Sequence, residues 1–309
     1  MTKLNLLPDD ELSALIDSAR SITSMGKCCP ISCGINRAEI VPPCGAVSDA
    51  SRVASFAVHR GEEPPVSGER GAGNVFFSGC ALGCVFCQNY PFSALNNGKD
   101  YSASALADKI MYLAEKKKVH NINFTTADHY LLQTLKALSI IKNRISIPLS
   151  FNCSGYFTTE SLSITYKVAD IFLFDLKYSD KVMARKYSRV PDYVERSFEA
   201  SDFFINNPVK WIENDDLLES GLIFRHLVLP SGLDNTKGVI DRLVELKSKG
   251  VDFRFSLMCQ YFPAYKAIDG NFPELENKTS EDEYDEAVEY MNESGIDGWI
   301  QEYDLDGNC

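Results

Sequence analysis

Residues 74–90, NVFFSGCALGCVFCQNY, run from an apolar strand-like stretch straight into a tight loop carrying Cys80, Cys84 and Cys87 in C-x3-C-x2-C spacing. Outward from this segment, the pairing of an apolar run with helical periodicity repeats. NVFFS precedes a helix expected over 102–117, NINFTT one over 129–143, and IPLSFN one over 158–167. DIFLFDLK leads into helical stretches at 180–187 and 192–206, and LIFRHLVLP into one at 235–249 with Gly250 as its stop. FRFSLMC precedes an acidic helix opening at Ser280, where Glu283 has the spacing of a capping box. Runs rich in Ile, Phe, Leu and Val on both faces, each followed by helix, specify a parallel sheet covered by helices. Six β/α units are too few for an eight-unit barrel and suit a partial barrel or a doubly wound sheet. Either places its chemistry at the C-terminal ends of the strands, where the three cysteines lie.

Upstream, residues 1–70 read as a first helix followed by a loop-rich, Cys-containing extension with Cys28, Cys29, Cys33, Cys44 and several prolines; residues 71–309 read as the α/β unit. With 309 residues, 45% hydrophobic and 24% charged, the chain is long enough to bury a sizeable core, which excludes global disorder. The formal charge of −12 is unevenly placed: residues 269–309 hold 14 acidic side chains and one basic one, Lys278, whereas the rest is balanced to +1. The acidic run reads as a solvated face, and no basic stripe suggests nucleic acid. No apolar stretch approaches the ~18 residues of a membrane span, and the acidic N-terminus lacks the apolar core of a signal peptide, so a cytoplasmic protein is expected. Ten cysteines in that reducing compartment point to metal binding or catalysis rather than disulfides.

Three thiolates on one tight loop can each hold one iron of a cubane, whereas a zinc knuckle would want a second close pair. The fourth iron is then left open to a chelating substrate such as the amino and carboxylate groups of S-adenosylmethionine. With Phe86 just before the third cysteine, this spacing resembles the radical S-adenosylmethionine superfamily. The segments RGEEPPVSG, NCSGY, DLKYSD, YSRVPDY, RHLVLP and SLMCQYFPAY are similar to uncharacterised homologues of pyruvate formate-lyase activating enzymes. The resemblance implies a partial (β/α)6 TIM-like barrel, a [4Fe-4S] cluster on Cys80, Cys84 and Cys87, and reductive cleavage of S-adenosylmethionine to a 5′-deoxyadenosyl radical that abstracts hydrogen. It further implies a glycyl radical protein as substrate, an electron donor such as flavodoxin or ferredoxin, and anaerobic chemistry. A small molecule or another peptide as substrate is the first alternative. A non-catalytic iron-sulfur electron carrier, with a thiolate such as Cys153 on the fourth iron, is the second.

The resemblance also assigns cofactor contacts. Phe86 would pack on the adenine, and Asn152 and Ser154 in NCSGY would meet the cofactor. Asp175 and Lys177 share one strand face, and their bland reading is a mutual ion pair; the matching Asp-x-Lys of activating enzymes contacts the cofactor. Arg225, a permanent charge inside an apolar strand, demands a carboxylate, for which the methionine carboxylate is suited. The superfamily's Gly-Gly-Glu is absent from the second strand end, where Thr125, Thr126, Asp128 and His129 stand instead; His129 is expected to make a backbone hydrogen bond at a helix start. The N-terminal cysteines leave a second metal open, with Cys29, Cys33 and Cys44 the most workable set. Cys153, Cys259 and Cys309 are expected to be small apolar core residues, Tyr261 and Trp299 to pack in the core, and His59, His120 and His226 carry no assigned role.

Overall fold

The strands are β1 (Ser51–His59), β2 (Ala72–Phe77), β3 (Lys99–Tyr101), β4 (Ile122–Thr125), β5 (Leu149–Cys153), β6 (Ile171–Asp175), β7 (Ile212–Asn214), β8 (Leu217–Leu227), β9 (Arg254–Met258) and β10 (Gly298–Ile300). The computed structural model describes residues 1–37, 39–47 and 49–301, so Cys309 and the last acidic residues of the C-terminal run lie outside the described residues. In the sheet the order is β10-β9-β8-β6-β5-β4-β2-β1-β3, with β7 pairing β8 at the side. The central run from β2 to β9 is parallel throughout, and its ends do not pair with each other. The six expected units therefore form an open partial barrel.

Helices α1 (Asp9–Ser24), α2 (Ala103–Tyr112), α3 (Leu131–Ile141), α4 (Thr159–Val168), α5 (Tyr193–Asn206), α6 (Leu233–Ser248) and α7 (Glu281–Glu293) accompany the sheet. Three of them begin where a short polar side chain accepts an orphan amide: Ser102, Thr158 and Ser280 each cap their helix at the third following N–H. The outer core lies between sheet and helices and is built on Phe124, Phe172, Phe174, Phe224 and Phe255, all fully buried. A smaller inner core of Val66, Ala72, Ile171, Leu173 and Ile223 fills the bore. Its stopper is the helical turn Pro64–Ser67, whose Val66 carbonyl accepts from Asn121 Nδ2 just before β4 starts. The N-terminal end of the barrel is thereby closed. No helix among the described residues is long and apolar enough to cross a membrane.

Three local expectations need correcting. Residues 51–59, expected to be irregular, form β1, because a strand paired antiparallel at the edge is only half-buried and shows no apolar run. The helices expected over 102–117 and 180–187 both finish as π-helical turns, Leu113–Lys117 and Ala184–Ser188, each followed by a left-handed residue, Lys118 and Arg189. At Ser280 the capping box is half made: Ser280 accepts from the Glu283 amide, but the Glu283 carboxylate accepts from the amides of Ser231 and Gly232.

Candidate functional site

The cysteine loop leaves the C-terminal end of β2 at Gly79, whose φ is +82° and whose missing Cβ would stand 1.9 Å from the Cys44 carbonyl oxygen. Only glycine fits that close approach. From there the loop is held by backbone bonds from distant segments: Gly83 N–H to Ser188 O at 3.2 Å, Val85 N–H to Tyr187 O at 2.8 Å, and the Lys266 and Ala267 amides to Val85 O. Thus the YSRVPDY and PAYKAI segments act as its frame. Cys80, Cys84 and Cys87 are free thiols. Cys84 Sγ lies 2.9 Å from Ser188 Oγ, Cys87 Sγ lies 3.0 Å from Ser93 Oγ, and the Leu82 amide donates to Cys80 Sγ.

Burial pushes the Cys84 thiol up to about 11, with Lys177 pulling the other way. Cys80 is raised further by burial and by the proximity of Cys84 and Cys87. Three thiols that repel one another as anions need a polycation between them, and an iron cube supplies it. Phe86 is buried beside them, edge-on to Tyr261 with ring centroids 6.1 Å apart. Among the described residues no three His, Cys, Asp or Glu side chains are gathered around a single-ion position. A cubane takes one thiolate per iron, and the three free thiols of this loop are the donor type it needs.

On the same rim, Asp175 and Lys177 form an ion pair of 2.5 Å with roughly a quarter of each side chain exposed. Burial works against the Lys177 charge, but Asp175, Tyr193 and Cys84 outweigh it and hold the ammonium well above its usual range. The Tyr193 hydroxyl joins three points of this rim: it accepts from Lys177 N–H at 3.0 Å and faces the carbonyls of Ser154 at 2.8 Å and Asp175 at 3.1 Å. Gly155 permits this convergence, since its φ is +74° and a Cβ there would stand 2.2 Å from Asp175 O. Asn152 sits in register between Thr125 and Leu173. Ser154 Oγ lies 3.5 Å from Asp128 Oδ2, whose carboxyl is pushed up to about 7 by burial.

Arg225 does have the carboxylate its burial demands, but the chain supplies it. Its Nε donates to Glu63 Oε1 at 2.8 Å and its Nη2 to Glu62 Oε2 at 2.6 Å, and a further bond reaches Glu63 Oε2. Glu62 Oε1 also accepts from Asn74 and Asn123 at 2.8 and 2.9 Å. The fork expected to meet the methionine carboxylate is held in this structure by the two glutamates of RGEEPP, which fold into the bore. Cys153 likewise points away from the bore, buried in the outer core with its Sγ donating to Leu173 O at 3.4 Å.

Two histidines brace the rim, one of which spacing alone left without a role. His226, neutral with its proton on Nδ1 because a carbonyl can only accept, donates to Leu176 O at 2.6 Å and accepts from Thr236 Oγ1 at 3.0 Å. His129 makes the expected backbone bond, to Ser78 O at 2.9 Å, directly before the cysteine loop. Burial lowers both to about 4. Their folded values lie below the unfolded value near 6.5, so the stability they contribute is present above that pH and lost as pH falls towards 4. Urea unfolding is expected to lose on the order of 1 kcal/mol per pH unit per histidine between about pH 6.5 and 4.5. The double variant His129→Gln, His226→Gln should flatten that slope; an unchanged slope would place the protons elsewhere.

The N-terminal cysteines abut this rim. Arg37 Nη2 contacts Cys28 Sγ at 2.6 Å while its Nη1 bonds the His129 carbonyl, and Cys28 and Cys29 are buried whereas Cys33 and Cys44 are partly exposed. Cys33 Sγ, by contrast, donates to the Gly26 carbonyl at 3.7 Å. Trp299 packs on Trp211 at 6.1 Å, and Tyr261 is buried with its hydroxyl on Leu275 O, so both serve the core as expected.

The Radical SAM superfamily family model matches residues 74–303. An uncharacterized protein of Methanocaldococcus jannaschii is 26% identical over 298 residues, covering 93% of this chain and 80% of its own length. Among solved structures, a radical SAM methyltransferase from Sphaerobacter thermophilus shares the fold, with a TM-score of 0.51 at 12% identity over 74% of this chain and 65% of that one. A domain of a pyruvate-formate lyase-activating enzyme from Bacteroides vulgatus aligns over 56% of this chain and 93% of its own, at 13% identity and a TM-score of 0.40. The match spans every parallel strand but the first two residues of β2, together with the cysteine loop, and the chain belongs to the radical SAM superfamily.

Proposed function

We propose that this chain holds a [4Fe-4S] cluster on Cys80, Cys84 and Cys87, binds S-adenosylmethionine at the open iron, and acts as an activating-type enzyme on a glycine Cα–H of a glycyl radical protein. The observation that carries the reading is the set of three uncommitted thiols framed on one loop, with the Asp175–Lys177 pair on the same rim. When bound, the cluster supplies the single electron that splits the sulfonium bond and so yields the radical that removes hydrogen. The chain's own residues bind and orient. Phe86 offers an apolar wall to the adenine; Lys177 and Asp175 present one donor and one acceptor to the polar groups of the cofactor; Asn152 and Ser154 continue that polar edge. Tyr193, tied to both strand ends, keeps these contacts in register. Because Cys153 faces the outer core, it is not placed to be the fourth thiolate of the electron-carrier reading. An anaerobic cytoplasmic setting and a flavodoxin or ferredoxin donor complete the proposal.

The test is anaerobic: reduced, reconstituted protein mixed with S-adenosylmethionine is expected to release 5′-deoxyadenosine. Lys177→Met should weaken cofactor affinity by about 10- to 100-fold, as loss of a charged hydrogen bond does, with iron content unchanged. No 5′-deoxyadenosine from a reducible cluster would overturn the reading. A glycyl radical signal on adding a candidate partner is the sign of the activating type.

A further inference from the structure

Away from the cysteine loop, β1 is covered only in part. β3 pairs with residues 51–53 and with nothing beyond them, so on that side residues 54–59 of β1 have no strand partner among the described residues. Beside this free edge lies a cavity of about 560 Å3 between β1 and the helix α2 with its π-helical turn. Its floor is apolar, formed by Phe56, Val58 and Leu113, and its rim carries Lys99, Lys109 and Lys117, all exposed. None of the three lysines forms an ion pair among the described residues; the nearby acids Asp100 and Glu115 are taken by Arg52 and Arg144. Residues 1–268 are balanced to +1 as a whole, so the three lysines make a local basic rim.

We infer that this groove binds an acidic, extended segment of a partner protein by strand addition to β1. The open backbone edge supplies the ladder, alternate apolar side chains enter the floor, and the intervening carboxylates meet the lysine rim. Lysines on an edge also serve to keep other strands away. That role predicts no ligand, whereas the adjoining apolar cavity and the lack of an ion pair at any of the three lysines among the described residues favour an acidic guest. The inference is independent of the chemistry proposed for the cysteine loop.

A fluorescein-labelled ten-residue peptide of alternating Glu and Val is the probe, titrated by anisotropy into the full-length, cluster-loaded protein. Saturable binding is expected, with slowed amide exchange confined to residues 54–59. Affinity should fall by at least about tenfold in the triple variant Lys99→Glu, Lys109→Glu, Lys117→Glu. The same peptide N-methylated at alternate residues, which cannot form the ladder, should bind about tenfold more weakly or not at all. The lysines are exposed, so the variant keeps its fold, checked by circular dichroism. No saturable binding, equal binding of the N-methylated peptide, unchanged affinity of the triple variant, or no exchange protection in β1 each overturns the inference.

Discussion

Cys84→Ala is expected to abolish both the iron-sulfur absorbance and all formation of 5′-deoxyadenosine, while the protein without its cluster unfolds within about 1 kcal/mol of the parent. The side chain is small and partly exposed, packs at the edge of an apolar cluster and has one hydrogen-bonding partner, the Ser188 hydroxyl, so its loss costs the fold little. It costs the cluster a corner. Two thiolates cannot hold a cube with one iron left open, and Cys153, buried in the outer core, is not placed to substitute. Iron analysis, visible absorbance and a 5′-deoxyadenosine assay on the same anaerobic preparation measure the effect. A variant that retains its iron and still cleaves S-adenosylmethionine sinks the assignment of the ligand set.

Arg225→Met should have the largest effect on stability, about 3–5 kcal/mol, because it strands Glu62 and Glu63 in the bore without their counter-charge. The pH dependence gives the effect a second signature. In the parent, burial opposes the Glu62 charge but Arg225 and Asn74 outweigh it and hold the carboxyl below its usual value. That contribution is therefore present above about pH 4.5 and lost as pH falls through the lower folded value. Without Arg225 the sign inverts: burial alone raises the carboxyls, so the deficit is greatest at neutral pH and shrinks as they protonate. Urea unfolding at pH 7 and pH 5 reads both, and Glu62→Gln, Glu63→Gln in the Arg225→Met background should restore most of the loss. A single variant within 1 kcal/mol of the parent at pH 7 contradicts a charge-balancing role.

The barrel was legible because its parallel strands are buried on both faces and so read as unbroken apolar runs, and the cluster loop because cysteine spacing is local. What lay beyond reading was long-range. Arg225 announced that it needed a carboxylate, but nothing in linear spacing pairs it with Glu62 and Glu63, about 160 residues upstream in a proline-rich stretch that looks like a turn. His226 gave no signal for the same reason: its partners are a carbonyl on the adjacent strand and a threonine on the following helix. β1 was missed because its side chains are only partly covered, so no apolar period appears in SRVASFAVH. The π-helical ends of two helices have no counterpart in the periodicity of their sequences.

The stopper at Pro64–Ser67 and the paired charges above it leave the chamber a cul-de-sac. A long polymer cannot be threaded through such a vessel; it can only dip a bend or a free end inside and withdraw it again. Under the proposed chemistry, substrate and product would then exchange at the C-terminal mouth or along the open seam of the partial barrel.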